Sequence, residues 1–161
     1  MTASPMSFPS HDHDHRSCVA SALGAAEAEC RRRGARLTDI RRRVLELIWT
    51  SHAPVGAYAL LEQLGRGAAP PTIYRALDFL LAHGLIHRIE TQNAYVGCSH
   101  PGQPHAGLFL LCRQCGAVAE LAEAATTRAI EQEAAALGFQ VDSLTVEAHG
   151  LCPGCRRGAG P

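Results

Sequence analysis

The chain has 161 residues, of which 47% are hydrophobic, and its formal net charge is zero. This length allows one domain or two small ones, and the apolar content is sufficient for a core. No apolar run reaches membrane-spanning length, and residues 1–15 lack the apolar segment of a signal peptide. We therefore expect a cytoplasmic protein with no membrane partner. In that compartment, the 7 cysteines indicate metal binding more than disulfides.

The charges are unevenly distributed along the chain. Residues 16–88 carry 11 Arg and 6 acidic residues, whereas residues 99–161 carry 4 Arg and 6 acidic residues. A basic first half beside an acidic second half favours contact between the first half and nucleic acid. An Arg-rich surface that is merely solvated would have the same composition, so charge alone does not decide the matter.

The first residues predict a disordered tail, over residues 1–16, because they are rich in Ser, Pro, His and Asp. His11, His13 and His15 alternate with Asp in this tail. They could hold a metal loosely, or they could belong to a simple solvated tail.

Residues 17–98 predict a winged helix-turn-helix domain. Apolar residues recur at helical spacing in four stretches, and two short apolar stretches with a turn between them follow as a hairpin. The predicted helices cover residues 17–33, 56–65 and 71–83, with a further one that starts after an N-cap at Thr38 and is stopped by His52-Ala-Pro54. The predicted strands cover 85–89 and 94–96. Within the first helix, Cys30 is expected to be a small buried residue, whereas Cys18 is expected to have no role.

The fourth helix is the candidate DNA-reading element. Its buried stripe is expected to consist of Ile73, Ala76, Leu77, Leu80 and Leu81. In winged-helix domains the second helix of the helix-turn-helix enters the major groove of double-stranded DNA. Arg75 could contact guanine, and Thr72 and Tyr74 could contact phosphates. A helical bundle unrelated to DNA would have the same apolar spacing, and this alternative stays open here.

Residues 99–161 predict a small α/β domain, so the whole chain belongs to the α+β class. Strands are expected at residues 108–111, 117–120 and 139–148, with a helix over 123–137. Such a domain is too small for a large core of its own. Zinc and dimerisation would both supply stability that it lacks.

Two Cys-x-x-Cys pairs in this half predict a structural zinc site. The four sulfurs belong to Cys112, Cys115, Cys152 and Cys155, and 36 residues (116–151) separate the pairs. Four thiolates suit one tetrahedral Zn²⁺. Redox disulfides and free core thiols are the alternatives. A thiol-disulfide enzyme needs an exposed thiol of low pKa at the start of a helix. Because neither pair visibly opens a helix, we expect no enzyme and no small-molecule substrate.

A second metal site is predicted near the junction of the two domains. Its ligands would be His87, Cys98, His105 and Glu120, a mixed set that suits tetrahedral Zn²⁺. Ligands from both halves would make the angle between the domains depend on the metal. A single His or Cys is more often an ordinary core or surface residue. His100 is a competing ligand, and His149 could support the four-cysteine site.

Several motifs together resemble the ferric uptake regulator family. They are Arg36-Leu-Thr-Asp-Ile-Arg41, Pro70-Pro-Thr-Ile-Tyr-Arg-Ala-Leu-Asp-Phe-Leu80, Cys112-Arg-Gln-Cys-Gly116 and Glu147-Ala-His-Gly-Leu-Cys152. The likeness covers about residues 20–157. It implies an N-terminal winged helix, a C-terminal α/β dimerisation domain, and a homodimer that binds a palindromic operator and represses zinc-uptake genes in the presence of zinc.

The resemblance also assigns residues, and it implies two Zn²⁺ ions per chain. The family's structural zinc corresponds to the four cysteines of the two pairs. The regulatory site of its zinc-sensing members corresponds to His87, Cys98, His105 and Glu120, and the DNA-reading positions correspond to Tyr74 and Arg75.

Other functions are compatible with parts of the pattern. An iron, manganese or peroxide sensor of the same family is one, although the Cys98 thiolate argues against it because such metals prefer N and O ligands. A zinc buffer or chaperone is another, and it would leave the winged helix unused.

Overall fold

The structure is a computed structural model that describes residues 8, 14–65, 67–121 and 124–158. Most of the predicted tail, including His11 and His13, lies outside the described residues. Within the described residues, no helix is long and apolar enough to cross a membrane.

The first helix starts inside the segment that was expected to be disordered. Helix α1 begins at His15, because the Asp14 side chain caps it by accepting a hydrogen bond of 2.9 Å from the Arg16 amide. The four helices of this half are α1 (His15–Arg32), α2 (Asp39–Trp49), α3 (Ala57–Leu64) and α4 (Pro70–Ala82). All four were predicted, with small differences at their ends.

A two-stranded antiparallel hairpin follows the helices and forms the wing. Strand β1 is Ile86–Ile89 and strand β2 is Ala94–Gly97. A short 3₁₀ turn, Glu90–Gln92, joins them, and Asn93 closes it at a positive φ of 47°. Asn tolerates this left-handed conformation better than most residues. The hairpin prediction is confirmed.

The helices and the wing enclose one hydrophobic core. Its most buried members come from all four helices and the hairpin: Ala26, Cys30, Val44, Leu45, Leu47, Ile48, Leu60, Ile73, Ala76, Leu77, Leu80, Leu85, Ile86 and Tyr95. Four of the five residues expected on the buried stripe of α4 are buried, and Leu81 is half-buried at its edge. Burial of this apolar stripe fixes which side of α4 is presented to solvent.

The second half is a three-stranded sheet with one crossover helix. Its elements are β3 (Gly107–Cys112), β4 (Val118–Glu120), α5 (Ala124–Ala136), β5 (Thr145–Gly150) and α6 (Pro153–Arg156). The strand order is β4-β3-β5; β4 is antiparallel and β5 parallel to β3. The α+β class, with a winged helix-turn-helix followed by a small α/β unit, is confirmed.

The two halves pack against each other through the wing. Ile89 and Val96 of the hairpin share a buried cluster with Phe109, Leu111 and Val118 of the sheet. The junction is therefore partly apolar and closed in this structure, and the side chains at the ends of β1 and β2 face the second sheet.

Helix α5 and the residues just after it leave apolar side chains in solvent. Leu137 and Phe139 are 86% and 65% exposed, and Ile130 is 36% exposed. Among the described residues, strand β5 has a neighbour on one side only, β3. A single chain therefore presents an uncovered apolar face and an open sheet edge on the same half.

Candidate metal centres and DNA-binding helix

The two Cys-x-x-Cys pairs meet at one end of the second sheet. Strand β5 runs parallel to β3 and pairs Cys112 with Gly150, so the two pairs follow neighbouring strand ends. The four sulfurs of Cys112, Cys115, Cys152 and Cys155 all lie within 4.8 Å of one another. Cys115 is half-buried and the other three are buried. This arrangement can enclose one tetrahedral cation without a position for water.

The backbone around this cluster prepares one sulfur for a cation. Amides of Cys115 and Cys152 point at the Cys112 sulfur and lower the pKa of that thiol to about 6. The Cys152 amide lies 3.3 Å from the sulfur. Burial raises the pKa of Cys155 to about 12 and also raises the pKa of Cys115. One thiolate is thus favoured, and a bound cation must displace the protons of the remaining thiols.

One part of the argument against an enzyme was wrong. Cys152 is the N-cap of the short helix α6, and its sulfur accepts from the Cys155 amide at 3.4 Å. The second pair therefore does open a helix. Sulfur access is the remaining criterion, and Cys152 is only 3% exposed. A thiol this buried does not meet the requirement of a thiol-disulfide enzyme for an exposed sulfur.

The second predicted cluster also comes together, at the junction of the two halves. The ligand atoms of His87, Cys98, His105 and Glu120 all lie within 4.8 Å of one another. One carboxylate oxygen, Oε1 of Glu120, is 2.7 Å from Nε2 of both His87 and His105. The two Nε2 atoms are 3.1 Å apart, and the Cys98 sulfur is 3.5 Å from Nε2 of His105.

Four different segments supply these ligands. His87 lies on β1, Cys98 directly follows β2, His105 lies in the loop between β2 and β3, and Glu120 ends β4. The Ser99 amide donates to Glu120 at 2.7 Å, and the Cys98 amide donates to the Leu85 carbonyl at 3.1 Å. The wing and the second sheet are thus connected through the cluster itself.

Charge in the second cluster is set by burial and by the imidazoles. Burial opposes ionisation of Glu120, but hydrogen bonds and charge from His87, with the Ser99 amide and His105, lower its pKa to about 2. Burial raises the pKa of Cys98 to about 12, and the Glu120 charge adds to this effect. The carboxylate, the two imidazole nitrogens and the Cys98 sulfur are a donor set that suits Zn²⁺, and a bound cation would displace the thiol proton of Cys98.

Two further histidines lie outside both clusters. The ring centroid of His100 is 6.1 Å from that of His105, and His100 is not among the converging ligands. Its Nδ1 is buried without a hydrogen-bond partner in the described part of the chain. His149 is exposed on β5 and is not part of the four-cysteine group.

The exposed side of α4 carries the three predicted DNA contacts. Thr72, Tyr74 and Arg75 are all exposed, with Tyr74 at 45%. Pro70 and Pro71 occupy the first turn, where the missing amide protons cost nothing. The helix therefore presents a hydroxyl, a phenol and a guanidinium to solvent.

Sequence reasoning missed a third cluster, of His15, Cys18 and His52. Their ligand atoms lie within 4.8 Å of one another, although Cys18 was expected to have no role. The spacing of His15 and Cys18, three residues apart at a helix start, was the signal available. Nothing in the sequence indicated that His52, which follows α2, would lie beside them.

The fold and these clusters place the chain in the class of metal-responsive winged-helix transcription regulators, which are not enzymes. The chain belongs to the ferric uptake regulator family, whose model matches residues 32–149. The zinc uptake regulation protein of Escherichia coli (strain K12) is 41% identical over 137 residues, which is 83% of this chain and 80% of that protein.

Solved structures of zinc uptake regulators have the same fold. Holo XcZur is 46% identical with a TM-score of 0.80, and it covers 85% of this chain and 98% of its own. A zinc uptake regulator in complex with zinc and DNA is 37% identical with a TM-score of 0.79, over 91% of this chain and 97% of its own. Apo XcZur, at 44% identity over 86% and 97%, has a TM-score of only 0.50. The two identities are similar, so the arrangement of this chain resembles that of holo XcZur more than that of apo XcZur.

Proposed function

We propose that this protein is a cytoplasmic, zinc-responsive transcriptional repressor that binds palindromic operator DNA as a homodimer and represses zinc-uptake genes. The observation that carries the proposal is the convergence of His87, Cys98, His105 and Glu120 at the junction of the two halves. Zinc at this cluster would make the arrangement of the wing relative to the second sheet depend on zinc concentration.

The comparisons support this proposal. The Escherichia coli relative is a zinc uptake regulation protein, and one similar structure contains zinc and DNA. Compared with this chain, holo XcZur has a TM-score of 0.80 and apo XcZur one of 0.50. This contrast supports a large difference between the two arrangements in that protein. A metal-dependent arrangement in this chain would provide the same kind of switch.

Two zinc ions per chain would have different tasks. Cys112, Cys115, Cys152 and Cys155 would hold a structural ion, because four sulfurs leave no open position and replace the missing core of a small domain. The mixed cluster would hold the regulatory ion, a cation that all four of its ligands contact. Its half-exposed edge would allow exchange with the cell, since the side chains of His87 and His105 are 18% and 17% exposed.

The residues of the regulatory cluster would act by joining the two halves of the chain through one ion. His87 and Cys98 belong to the wing, and Glu120 belongs to the second sheet. When all of them face one ion, the wing stays docked on the sheet, and α4 stays at a fixed angle to the second half. Without the ion, the buried Glu120 carboxylate keeps only the imidazole and amide contacts, and the docked arrangement is less favourable.

Operator recognition follows from the exposed surface of α4. Thr72 and Tyr74 would contact phosphates and Arg75 would contact a guanine in the major groove. A dimer would set the spacing of two such helices. The uncovered apolar residues Ile130, Leu137 and Phe139, with the open edge of β5, are the surface that would form the dimer.

The experiment is zinc per chain, measured by elemental analysis of reduced protein before and after mild chelation, alongside operator binding. We expect two ions to fall to one, with loss of DNA binding, because the closed four-cysteine site resists removal. Zinc re-addition should restore binding. One ion throughout, with DNA binding unaffected by chelation, would contradict the regulatory site.

The same experiment separates the alternatives. An iron, manganese or peroxide sensor would regain DNA binding with its own metal and not with zinc. The Cys98 thiolate beside two imidazoles favours zinc over those harder metals. A zinc buffer would lose and regain metal without any effect on DNA.

A further inference from the structure

The cluster of His15, Cys18 and His52 is outside both predicted metal centres. Helix α1 begins at His15, and Cys18 lies one turn later on the same face. His52 lies in the loop between α2 and α3 and brings its imidazole to this turn. The two imidazole centroids are 5.0 Å apart, and all three residues are half-buried.

We propose that His15, Cys18 and His52 form a third metal site, for a divalent cation of the zinc type, with a fourth position open to water. Two nitrogens and one sulfur are the donors that Zn²⁺ and Co²⁺ prefer, and they exclude Mg²⁺ and Ca²⁺, which require oxygen. Ligand atoms around a tetrahedral ion stand roughly 3.5 Å apart. The three atoms already lie within 4.8 Å of one another, so rotation of side chains is enough to close the site.

The site shares no ligand with the regulatory cluster but borders on it. Cys18 and Cys98 line one cleft, together with Trp49. The His52 carbonyl accepts a hydrogen bond of 2.9 Å from the Val118 amide at the start of β4. A metal on His52 would therefore join the first turn of α1 to a loop that is bonded to the second sheet.

The number of ligands predicts the order in which the sites fill. Three ligands on half-buried residues hold a cation less tightly than the four converging ligands of the regulatory site. The third site would fill last, at high zinc concentration, and would add a second metal-mediated connection between the two halves of the chain. This extends the range of zinc concentrations over which the protein responds.

Cobalt provides a direct test, because a thiolate bound to Co²⁺ gives a charge-transfer absorption band. The starting protein carries Cys98→Ser, which removes the regulatory thiolate, and His11→Ala with His13→Ala, which removes the other tail imidazoles. Zinc stays in the four-cysteine site. We expect a thiolate band that corresponds to one thiolate-bound Co²⁺ per chain, and quenching of Trp49 fluorescence from the shared cleft.

The matched variants assign the band. Added Cys18→Ser should abolish it, and added His52→Ala should reduce the affinity for Co²⁺ at least about tenfold. Cys30→Ala, a thiol buried in the core of the same helix, should leave it unchanged. If Cys18→Ser does not fold, Cys18→Ala replaces it, with circular dichroism as the check.

Two results would overturn the proposal. A band that survives removal of Cys18 would arise from cobalt in the four-cysteine site. A folded protein with no band at all would mean that the cluster is ordinary packing. Both interpretations are independent of zinc binding at the regulatory site, because Cys98 is absent from every sample. They can therefore be distinguished from a failure of the proposed function.

Discussion

The carboxylate of Glu147 on β5 accepts a hydrogen bond of 2.6 Å from the backbone amide of Glu90, at the tip of the wing. It also accepts from the amide of Thr91 at 3.3 Å and from the Thr91 hydroxyl. Glu147 lies 57 positions after Glu90 and 56 positions after Thr91 in the chain. One side chain of the second sheet thus fixes the turn of the hairpin, and it does so beside the strand that carries His87.

Glu147→Gln should weaken this docking. The substitution keeps the size but removes the charge that three donors face, at a cost of about 1 kcal/mol. The hydrogen bonds from Thr91 and Glu90 outweigh the effect of burial and lower the pKa of Glu147 below its ordinary value of 4.5. The stabilisation is therefore fully present above pH 4.5 and is lost as the pH falls further, through the lower folded-state pKa.

The measurement is the difference in unfolding free energy between wild type and Glu147→Gln, from neutral pH to about pH 4. The difference should shrink at the acid end. Glu62→Gln, an exposed carboxylate on α3, serves as the control and should give no difference at any pH. A constant difference for Glu147→Gln would mean that the charge has no part in docking.

Much of the fold follows from local patterns in the sequence. The four helices and the hairpin were predicted because their apolar residues repeat at regular spacing and because Pro and Gly punctuate them. The start of α1 was misplaced because a single Asp14 cap outweighs a polar composition. Strand β5 was predicted from residue 139, but it begins only at Thr145, where pairing with β3 becomes available.

The metal clusters differ in how far the sequence predicts them. A Cys-x-x-Cys pair holds its two sulfurs together locally, so the four-cysteine site follows from spacing. The junction cluster has no local pattern; its four members were grouped only as metal-ligand residues near the domain junction, and the family resemblance then supported the assignment. His52 lies 34 positions after Cys18 (18 to 52), and only the packing of α1 on α2 brings them together. The same applies to the contact between Glu147 and the wing.

Arg75→Ala should remove specific DNA binding and leave both metal sites filled. Arg75 is exposed on α4 and contributes nothing to the core. A guanidinium that contacts guanine is worth about 1–3 kcal/mol of discrimination, so affinity for the operator should fall roughly 10- to 100-fold. The measurement is binding of the zinc-loaded protein to a palindrome that the wild type has selected from random DNA.

Arg113→Ala is the matched control, since it removes one exposed positive charge from the second half. Its effect should be limited to the small, sequence-independent loss that one charge causes. Equal losses for Arg75→Ala and Arg113→Ala would show that Arg75 does not read a base.

Cys98→Ser should give a folded dimer that no longer responds to zinc. A hydroxyl replaces the thiol beside His105 with little change in volume, but it is a poor zinc ligand. Elemental analysis should find the four-cysteine ion retained and the second ion lost, and DNA affinity should be the same with and without added zinc. Cys30→Ala, away from both clusters, should retain both ions. A Cys98→Ser protein that unfolds would identify Cys98 as a structural residue.

Gly97→Ala tests how closely the wing approaches α2. A Cβ at position 97 would lie 2.1 Å from Cε2 of Trp49, which is far closer than two carbon atoms can approach. The Trp49 ring lies between the end of β2 and the cleft that Cys18 and Cys98 share. The methyl group must therefore displace either the indole or the strand that leads directly into Cys98.

We expect Gly97→Ala to lower the free energy of unfolding by about 1–3 kcal/mol, as in other overpacked cores, and to weaken zinc binding at the regulatory site. Gly24→Ala is the control, because nothing lies within 4 Å of a Cβ at that position on α1. That substitution should stabilise the protein by about 0.5–1 kcal/mol. Thermal unfolding gives the first quantity and zinc titration under competition the second. If Gly97→Ala were as stable as wild type and bound zinc equally well, the wing would not need its close contact with Trp49.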